Sequence, residues 1–400
     1  MDAHHADPNV HASYFSELSR RLQRDADGQP RLLVDCARLD RNLATVRARL
    51  GGRRPRLVVK SLPSAPLLRR AARALDTRAF MVFHRPFLQQ ICALFPEADL
   101  LLGKPLPVAA VRAFYRDLPD DAEFQPARQL QWLIDDERRL TGYLALASEL
   151  GLTLRINIEI NIGMQRGGLD EPAMLRALLD RIGEHPEHLE FSGLMGYDAH
   201  VARAPSPLHH PQGALRRAND RYRAFLGVLT PAERAAELTL NGGGSPTYQL
   251  HGDDSPLNDI SLGSCLLLPT DFDIPTISDH QPACFIAAPV LKVLDRVSLP
   301  YFTALSRLMA RFHARRGRSL FLYGGRWLAT PEYPEGMATH ALYGLSSNQQ
   351  LMTVPRDCSI QPDDFVFFRP TQSEAVLLQF GDLFAYDDHG ELERWPVLRQ

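Results

Sequence analysis

Apolar runs alternate with helical patterns through the middle of this chain, and this alternation restricts the fold more than any other feature. Strict alternation with mostly apolar strands favours parallel pairing under a cover of helices. Eight such units fit a TIM (β/α)8 barrel better than an open doubly wound sheet, which remains the alternative. The predicted strands are Arg56–Lys60, Ala79–Phe83, Asp99–Leu102, Gln131–Ile134, Thr153–Ile160, Glu190–Gly196, Glu237–Leu240 and Ser261–Leu268.

The regions that flank the barrel have a different texture. We expect a helical extension over 1–30, a barrel over 31–273 and a mostly β C-terminal domain over 274–400, because short β-prone runs and turn signals follow Asp273. The run Arg31–Asp35 is left out of the eight barrel strands and is a candidate strand of the C-terminal domain. The predicted elements of that domain are strands Ala283–Val293, Leu320–Leu322, Asp364–Arg369 and Ala375–Leu378, and a helix Tyr301–Arg315.

Charge and cysteine content exclude several functional classes. The net charge is −2, so no global field attracts nucleic acid or an anionic membrane. The five cysteines are scattered, which favours free thiols in a reducing compartment over a disulfide framework. The beginning of the sequence does not look like a signal peptide, and no apolar run is long enough to cross a bilayer. We therefore expect a cytoplasmic protein.

Two segments at predicted strand ends point to one cofactor. Lys60 ends the first barrel strand, where burial favours a nucleophilic amine, although a solvated lysine is the ordinary alternative. The glycine-rich segment Asn241–Tyr248 follows the seventh strand, where TIM barrels often bind phosphate. Because the eighth strand of a closed barrel pairs with the first, a phosphate held there lies near Lys60. A phosphorylated aldehyde that joins both is pyridoxal 5′-phosphate.

Two further strand ends add polar groups on the same side. Arg166 lies in a loop after the fifth strand and is suited to the ring oxygen of the cofactor or to a substrate carboxylate. His200 follows the sixth strand and is a candidate acid–base or ring-stacking group, with a non-catalytic polar histidine as the alternative.

These segments together resemble fold-type III pyridoxal phosphate enzymes, and most of all the D-threonine aldolase and D-serine dehydratase group. The resemblance rests on VVKS at Lys60, GMQRGG at Arg166, GYDAH at His200, GGGSPT after Asn241 and DISLGS from Asp259, in that order. It implies a barrel that binds the cofactor, a β domain that closes the site, and a homodimer. By position it makes Lys60 the Schiff-base lysine and Arg166 the arginine near the cofactor hydroxyl. The remaining implied cofactor-binding residues are Tyr197, Gly243, Gly244, Ser245, Thr247 and Asp259.

The chain departs from this group at the metal-binding motif. The group carries a histidine and a cysteine spaced HxC in a stretch of the C-terminal domain that begins with proline. Here Gln372 and Glu374 stand at those two positions, and Ser347–Gln349 replaces the acidic and histidine segment before it. Loss of imidazole and thiolate removes the ligands that favour zinc. The sequence therefore predicts the cofactor without the usual metal.

The predicted function is a lyase of aldolase or dehydratase type that acts on a small β-hydroxy-D-amino acid. Lys60 would attach the cofactor, and His200 would take the proton of the β-hydroxyl group. The first alternative is an amino-acid racemase or epimerase, with Tyr323 or Tyr343 as a second acid–base group. The second alternative is a non-catalytic protein that binds pyridoxal phosphate, against which the large C-terminal domain argues.

Overall fold

A computed structural model shows two compact units within one chain. The described residues are 8–25, 27–203, 210–295, 317–340, 343–387 and 392–400. The barrel unit takes residues from 42–265, 274–279 and 398–400, and the sheet unit takes the described residues of 1–41, 266–273 and 280–397. This division differs from the expected boundaries, because residues 31–41 group with the sheet unit and 274–279 with the barrel unit.

The barrel unit is a closed ring of eight parallel strands in sequence order. The last strand pairs with the first, so that Arg54–Leu57 lie beside Asp259–Leu262. A strand that belongs to the sheet unit, β1 (Arg31–Asp35), precedes the ring. The barrel strands are β2 (Arg54–Val58), β3 (Ala79–Val82), β4 (Asp99–Leu102), β5 (Leu130–Ile134), β6 (Leu154–Glu159), β7 (Leu189–Gly196), β8 (Thr239–Gly242) and β9 (Asp259–Leu262).

Most helices alternate with these strands and bury one apolar face. Helix α7 shows how local sequence sets the bounds: Asp136 accepts a hydrogen bond from the backbone N–H of Arg139 at its start, and Gly151 is left-handed at its end. No helix in the described ranges has both the length and the apolar character needed to cross a membrane. The helices through the barrel region are α1 (Pro8–Asp25), α2 (Cys36–Arg49), α3 (Ala65–Ala74), α4 (Arg85–Leu94), α5 (Val108–Arg116), α6 (Pro126–Gln129), α7 (Glu137–Leu150), α8 (Pro172–Gly183), α9 (His200–Arg203), α10 (Pro211–Gly227), α11 (Pro231–Ala235) and α12 (Ser264–Leu267).

The sheet unit is built around one long strand, β10 (Cys284–Leu294). Its first half lies between β1 and β15, and its second half pairs with β11 after a bulge near Lys292. The other elements are β11 (Arg318–Tyr323), β12 (Ala329–Tyr333), β13 (Ala338–Thr339), β14 (Gln349–Val354), β15 (Phe365–Pro370), α13 (Ser373–Leu377), β16 (Leu383–Tyr386) and β17 (Leu392–Trp395).

Helix α1 is part of the sheet unit because its apolar face packs on that sheet. Phe15 is fully buried, and its ring lies 5.1 Å from that of Phe285 and 4.8 Å from that of Phe367. Strand β1 pairs antiparallel with β10 and parallel with β16. The expected helical extension and Arg31–Asp35 thus enter one apolar core with strands from the end of the chain.

The barrel and the mostly β second unit confirm the predicted fold class. Two predicted strands are wrong in part or entirely. The strand predicted over Ser261–Leu268 ends at Leu262, and the apolar run continues as the buried helix α12. The strand predicted over Ala375–Leu378 is helix α13, since short apolar runs do not distinguish a strand from a helix. The predicted helix Tyr301–Arg315 lies outside the described residues.

Candidate active site

Contacts across the barrel show which side chains face its interior. The Gln131 amide donates to the Thr239 hydroxyl at 2.9 Å, and the Asn157 amide donates to Gln131 at 3.1 Å. The Ser261 hydroxyl lies 3.6 Å from the Met81 sulfur. Because side chains alternate along a strand, residues further along in steps of two also face inward. We call the carboxyl ends of strands β2–β9 the barrel mouth; TIM barrels place their active sites there. The alternation predicts that four side chains point into this mouth, those of Phe83, Asp135, Glu159 and Tyr197.

Lys60 lies at this mouth in a 3₁₀ turn that follows β2. Its amine nitrogen is 4.3 Å from the centroid of the Phe83 ring, a cation–π contact. The neighbouring Ser61 accepts a hydrogen bond of 3.2 Å from Ser264, which follows β9. The chain has only three lysines, and the other two are Lys104, exposed after β4, and Lys292 in the sheet unit. Lys60 is therefore the lysine that the fold brings to the mouth beside the end of β9.

The glycine loop, residues Gly243–Thr247, follows β8 and is anchored to the end of β9. The Ser245 hydroxyl accepts hydrogen bonds of 3.1 Å from the backbone N–H groups of Gly263 and Cys265. Gly244 and Ser245 are buried, yet among the described residues their own N–H groups donate to no acceptor. Buried N–H groups are nearly always satisfied. Two donors at the end of a barrel strand therefore form a place for an anionic group.

Tyr197 joins the glycine loop to Arg166. A methyl group on Gly244 would lie 3.1 Å from a carbon of the Tyr197 ring, so a larger residue there would require the ring to shift by a few tenths of an ångström. The Arg166 guanidinium stands 4.9 Å from the centroid of the same ring. The structure thus brings together Lys60, Arg166, Tyr197 and the glycine loop, as the sequence analysis places them, and their roles remain predictions.

A buried hydrogen-bond network supports the glycine loop from behind. The Thr247 hydroxyl donates to one Asp198 carboxylate oxygen at 2.6 Å, and His251 Nε2 lies 2.9 Å from the other. A carboxylate only accepts, so Nε2 carries a proton, and Nδ1 lies 3.0 Å from the Ser255 hydroxyl oxygen. The Thr247 hydroxyl is therefore engaged by Asp198, and in this structure Thr247 supports the loop where the resemblance implied a phosphate contact.

Asp135 and Glu159 form a pair of carboxyl groups at the mouth. Strands β5 and β6 pair Ile134 with Ile158, so the next two residues are direct neighbours. Burial, and then the charge of Asp136, raise the pKa of Asp135. Burial and the charge of Asp135 raise the pKa of Glu159, partly offset by Arg166. The pair is suited to hold a proton beside Arg166.

Asp259 has a different environment from the other predicted cofactor-binding residues. It begins strand β9, is fully buried and accepts from Arg56 Nε at 2.8 Å and from Arg54 Nε at 2.6 Å. Burial alone lowers the pKa of Arg56, but Asp259 and Asp99 outweigh burial and the pKa is raised. Asp259 also accepts from the Asn241 amide at 2.6 Å, two residues before the glycine loop. A role for Asp259 in cofactor binding stays a prediction.

His200 begins helix α9, which follows β7. A methyl group on Gly163 would lie 2.8 Å from its Nε2, so the ring packs against the loop that carries Arg166. The ring also lines a cleft of about 340 Å³ with residues of helix α10, among them Arg217 and Arg221. The predicted catalytic histidine is thus next to the Arg166 loop, on the side that faces α10.

The other predicted residues lie in the sheet unit. Gln372 precedes helix α13 and Glu374 lies in its first turn. No group of three or more histidine, cysteine or carboxylate side chains suited to a metal occurs among the described residues. Tyr323 and Tyr343, the acid–base candidates of the racemase alternative, are exposed at 41% and 48%.

Several site residues were missed by sequence reasoning. Phe83, Asp135 and Glu159 could have been found by continuing the alternation of inward and outward side chains just past the end of each strand. Asp198 lies within the quoted GYDAH segment, but His251 carries no sequence signal because its partner is 53 residues away.

A closed parallel barrel with a lysine and an anchored glycine loop at its mouth, in a chain with a second mostly β unit, defines the fold-type III class of pyridoxal phosphate enzymes. The profile of the family described as "Alanine racemase, N-terminal domain" matches residues 34–268, more than half of the chain. The chain belongs to this family, whose members are pyridoxal phosphate-dependent enzymes.

Solved structures with the same fold share little sequence with this chain. D-threonine aldolase from Filomicrobium marinum is 17% identical, with a TM-score of 0.71 over 92% of this chain and 94% of its own. D-threo-3-hydroxyaspartate dehydratase from Delftia sp. HT23 is 16% identical, with a TM-score of 0.67 over 93% and 97%. Alanine racemase from E. faecalis is 15% identical, with a TM-score of 0.63 over 88% and 92%. A comparison with curated protein sequences found no match.

Proposed function

We propose that this protein is a pyridoxal phosphate-dependent lyase that acts on a small β-hydroxy-D-amino acid. Membership of the family supports the cofactor. The aldolase and the dehydratase among the structures of similar fold support the reaction class. Their names specify D-threonine and D-threo-3-hydroxyaspartate, which are both β-hydroxy-D-amino acids. The motifs around Lys60, Arg166 and the glycine loop resemble those of the same group.

The observation that carries the proposal is the pair of buried N–H groups at Gly244 and Ser245. A phosphate group would satisfy both donors. Ser61, next to Lys60, contacts Ser264 after β9, and Ser245 of the glycine loop contacts the adjacent Gly263. The residues present therefore fit the cofactor at both of its ends.

The residues of this chain have separate tasks in the proposed site. Lys60 supplies the amine that attaches the cofactor aldehyde, and the glycine loop holds its phosphate. Arg166, fixed over Tyr197, donates hydrogen bonds to the ring oxygen or to a substrate carboxylate. When bound, pyridoxal phosphate supplies an electron sink for the bond that breaks at the substrate α-carbon.

For the proton of the β-hydroxyl group, the carboxyl pair is better placed than His200. Asp135 and Glu159 face the mouth, and their raised pKa values let the pair hold a proton at a higher pH than ordinary carboxyl groups do. His200 faces the cleft beside helix α10. We therefore assign the acid–base task to the pair in the absence of the group's usual metal ligands.

The cofactor proposal is tested by reconstitution. Protein mixed with pyridoxal phosphate should absorb near ~420 nm, and borohydride reduction followed by peptide mapping should find the label on Lys60. Lys60→Ala should lose the band and Lys104→Ala, an exposed lysine after a barrel strand, should keep it. A colourless protein, or a label on Lys104 or Lys292, contradicts the proposal.

The reaction is tested by product analysis with D-threonine, D-serine and D-alanine, with and without a chelator. Aldehyde with glycine identifies an aldolase, and ammonia with an oxo acid identifies a dehydratase. Inversion alone means a racemase, and binding without product means a regulatory protein, so either result overturns the lyase proposal. Asp135→Asn and Glu159→Gln should keep the absorbance band and lose turnover if the carboxyl pair moves the proton.

A further inference from the structure

The cleft beside helix α10 is a second pocket in the barrel unit, separate from Lys60 and the glycine loop. Its volume of about 340 Å³ lies at the lower end of the range of small-molecule sites. One wall is the loop after β6, and the opposite wall is α10. The lining residues are Ile162, Gly163, Gln165, His200, Ala214, Arg217, Ala218 and Arg221.

The charge of this pocket has one sign. Arg217 and Arg221 are four residues apart on α10, so they project from one face of the helix, and His200 adds an imidazole across the cleft. No acidic side chain lines the cleft in the described part of the chain. Like charges at this spacing oppose each other, and among the described residues Arg217 makes no ion pair that would offset the repulsion. An anion between the two guanidinium groups would remove it.

The pocket is also held in shape. The Arg221 guanidinium donates to the backbone carbonyl groups of Asn161 and Asp170, which ties α10 to both ends of the loop after β6. The side-chain carbonyl oxygen of Asn161 accepts hydrogen bonds from the backbone N–H groups of Gly163 at 3.1 Å and Gln165 at 3.2 Å. These bonds fix the wall that Gly163 and Gln165 contribute. The cleft is thus a shaped site whose charge is positive.

We propose that this cleft binds a small oxyanion, either a phosphate group or the carboxylate of a small organic acid. Arg217 provides the donor fork that both anions share, and His200 and Gln165 provide further hydrogen bonds. The inference rests on the cleft alone and does not depend on the proposed function.

Isothermal titration of the protein saturated with pyridoxal phosphate tests the site, since the cofactor occupies the glycine loop. Inorganic phosphate and succinate are titrated separately. Saturable binding of either one supports the site and shows whether it prefers a phosphate or a carboxylate. Arg217→Glu should weaken binding tenfold or more, because a charge-assisted hydrogen bond is lost and the charge is reversed. Arg216→Glu, the same change at the exposed neighbour that does not line the cleft, should leave affinity within about twofold.

Two results would overturn the proposal. One is that neither probe gives a saturable heat of binding at concentrations up to about 10 mM. Such a result would mean a binding free energy weaker than about 3 kcal/mol. The other is an equal loss of affinity in Arg216→Glu and Arg217→Glu, which would mean diffuse attraction to a basic helix. Circular dichroism of both variants, which change exposed side chains, checks that neither result comes from misfolding.

Discussion

Removing the Asp198 carboxylate should lower the affinity for pyridoxal phosphate, although Asp198 itself is not proposed to contact the cofactor. Asp198 is 1% exposed and accepts from Thr247 at 2.6 Å and from His251 at 2.9 Å. Thr247 closes the glycine loop, because its backbone N–H donates to the Gly244 carbonyl at 3.0 Å. Asp198→Ala therefore leaves the buried imidazole N–H without this acceptor and the Thr247 hydroxyl with only the Gly244 carbonyl, at 3.5 Å.

The size of the effect follows from these two donors. Each buried donor without a partner costs about 1–3 kcal/mol, so the free energy of unfolding should fall by about 2–6 kcal/mol. The glycine loop loses its support at the same time. If only about 1.4 kcal/mol of that cost appears at the loop, affinity for the cofactor falls about tenfold. Asp198→Asn keeps an acceptor for Thr247 but turns its NH2 group toward His251 Nε2, so it leaves one donor unpaired and should lose about 1–3 kcal/mol.

Urea denaturation followed by circular dichroism measures stability, and titration of the cofactor absorbance band measures affinity. Asp253→Ala is the matched control, because this exposed carboxylate lies in the segment next to His251. It should change stability by less than about 0.5 kcal/mol. The reasoning is refuted if Asp198→Ala keeps the affinity of the unaltered protein, or if the Asn and Ala variants lose affinity equally.

Three further perturbations follow from the barrel unit. Gly244→Ala places a methyl group 3.1 Å from the Tyr197 ring, so cofactor affinity measured by absorbance should fall about tenfold. Arg56→Met removes one of the two arginines that bind the buried Asp259 carboxylate and should lower the urea-measured stability by about 3–5 kcal/mol. Hydrogen bonding to Arg176 lowers the pKa of Glu233 to about 2 from 4.5, so its stabilising effect is complete above pH 4.5 and disappears as the pH falls towards 2. Glu233→Gln should therefore cost about 1 kcal/mol at pH 7 and less at pH 3 in urea denaturation.

Each perturbation has a control of the same chemistry. Gly227→Ala adds a methyl group where no atom lies within 4 Å, and it should leave affinity unchanged. Arg78→Met and Glu237→Gln alter exposed side chains and should change stability by less than about 0.5 kcal/mol. Equal effects in any variant and its control would contradict the corresponding argument. For Glu233, an effect that stays constant from pH 7 to pH 3 would also contradict it.

The barrel was predictable because its signal is local and repeated. A run such as Asp99–Leu102 is apolar, short and followed by a helical pattern, and it is a strand with the same bounds in the structure. The sheet unit was less predictable because its pairing is long-range: β16 (Leu383–Tyr386) pairs with β1 and β17, and no periodicity indicates such partners. At Ser264 a buried helix continues an apolar run, and burial on all sides removes the pattern that would separate helix from strand.

The site was predictable where glycines and a lysine follow strands. Lys60 and the glycine loop depend on barrel topology alone, which sequence order fixes once the ring closes. The environments of Thr247 and Asp259 depend on which partner reaches them, Asp198 in one case and Arg56 in the other. Spacing in the sequence carries no information about these partners. They pair in the folded structure because every buried acceptor needs a donor.

The pairing of β1 with β10 and β16 has a consequence during synthesis. Helix α1 and β1 leave the ribosome before the barrel strands, and β16 follows β1 by about 350 residues. At about 5–20 residues per second, roughly 17–70 s pass before the last partner strand is made. All eight barrel strands are completed within that interval. The segment that holds α1 and β1 is thus translated before the barrel but completes its strand pairing after it, and its apolar face has no complete partner sheet until the carboxyl-terminal strands are made.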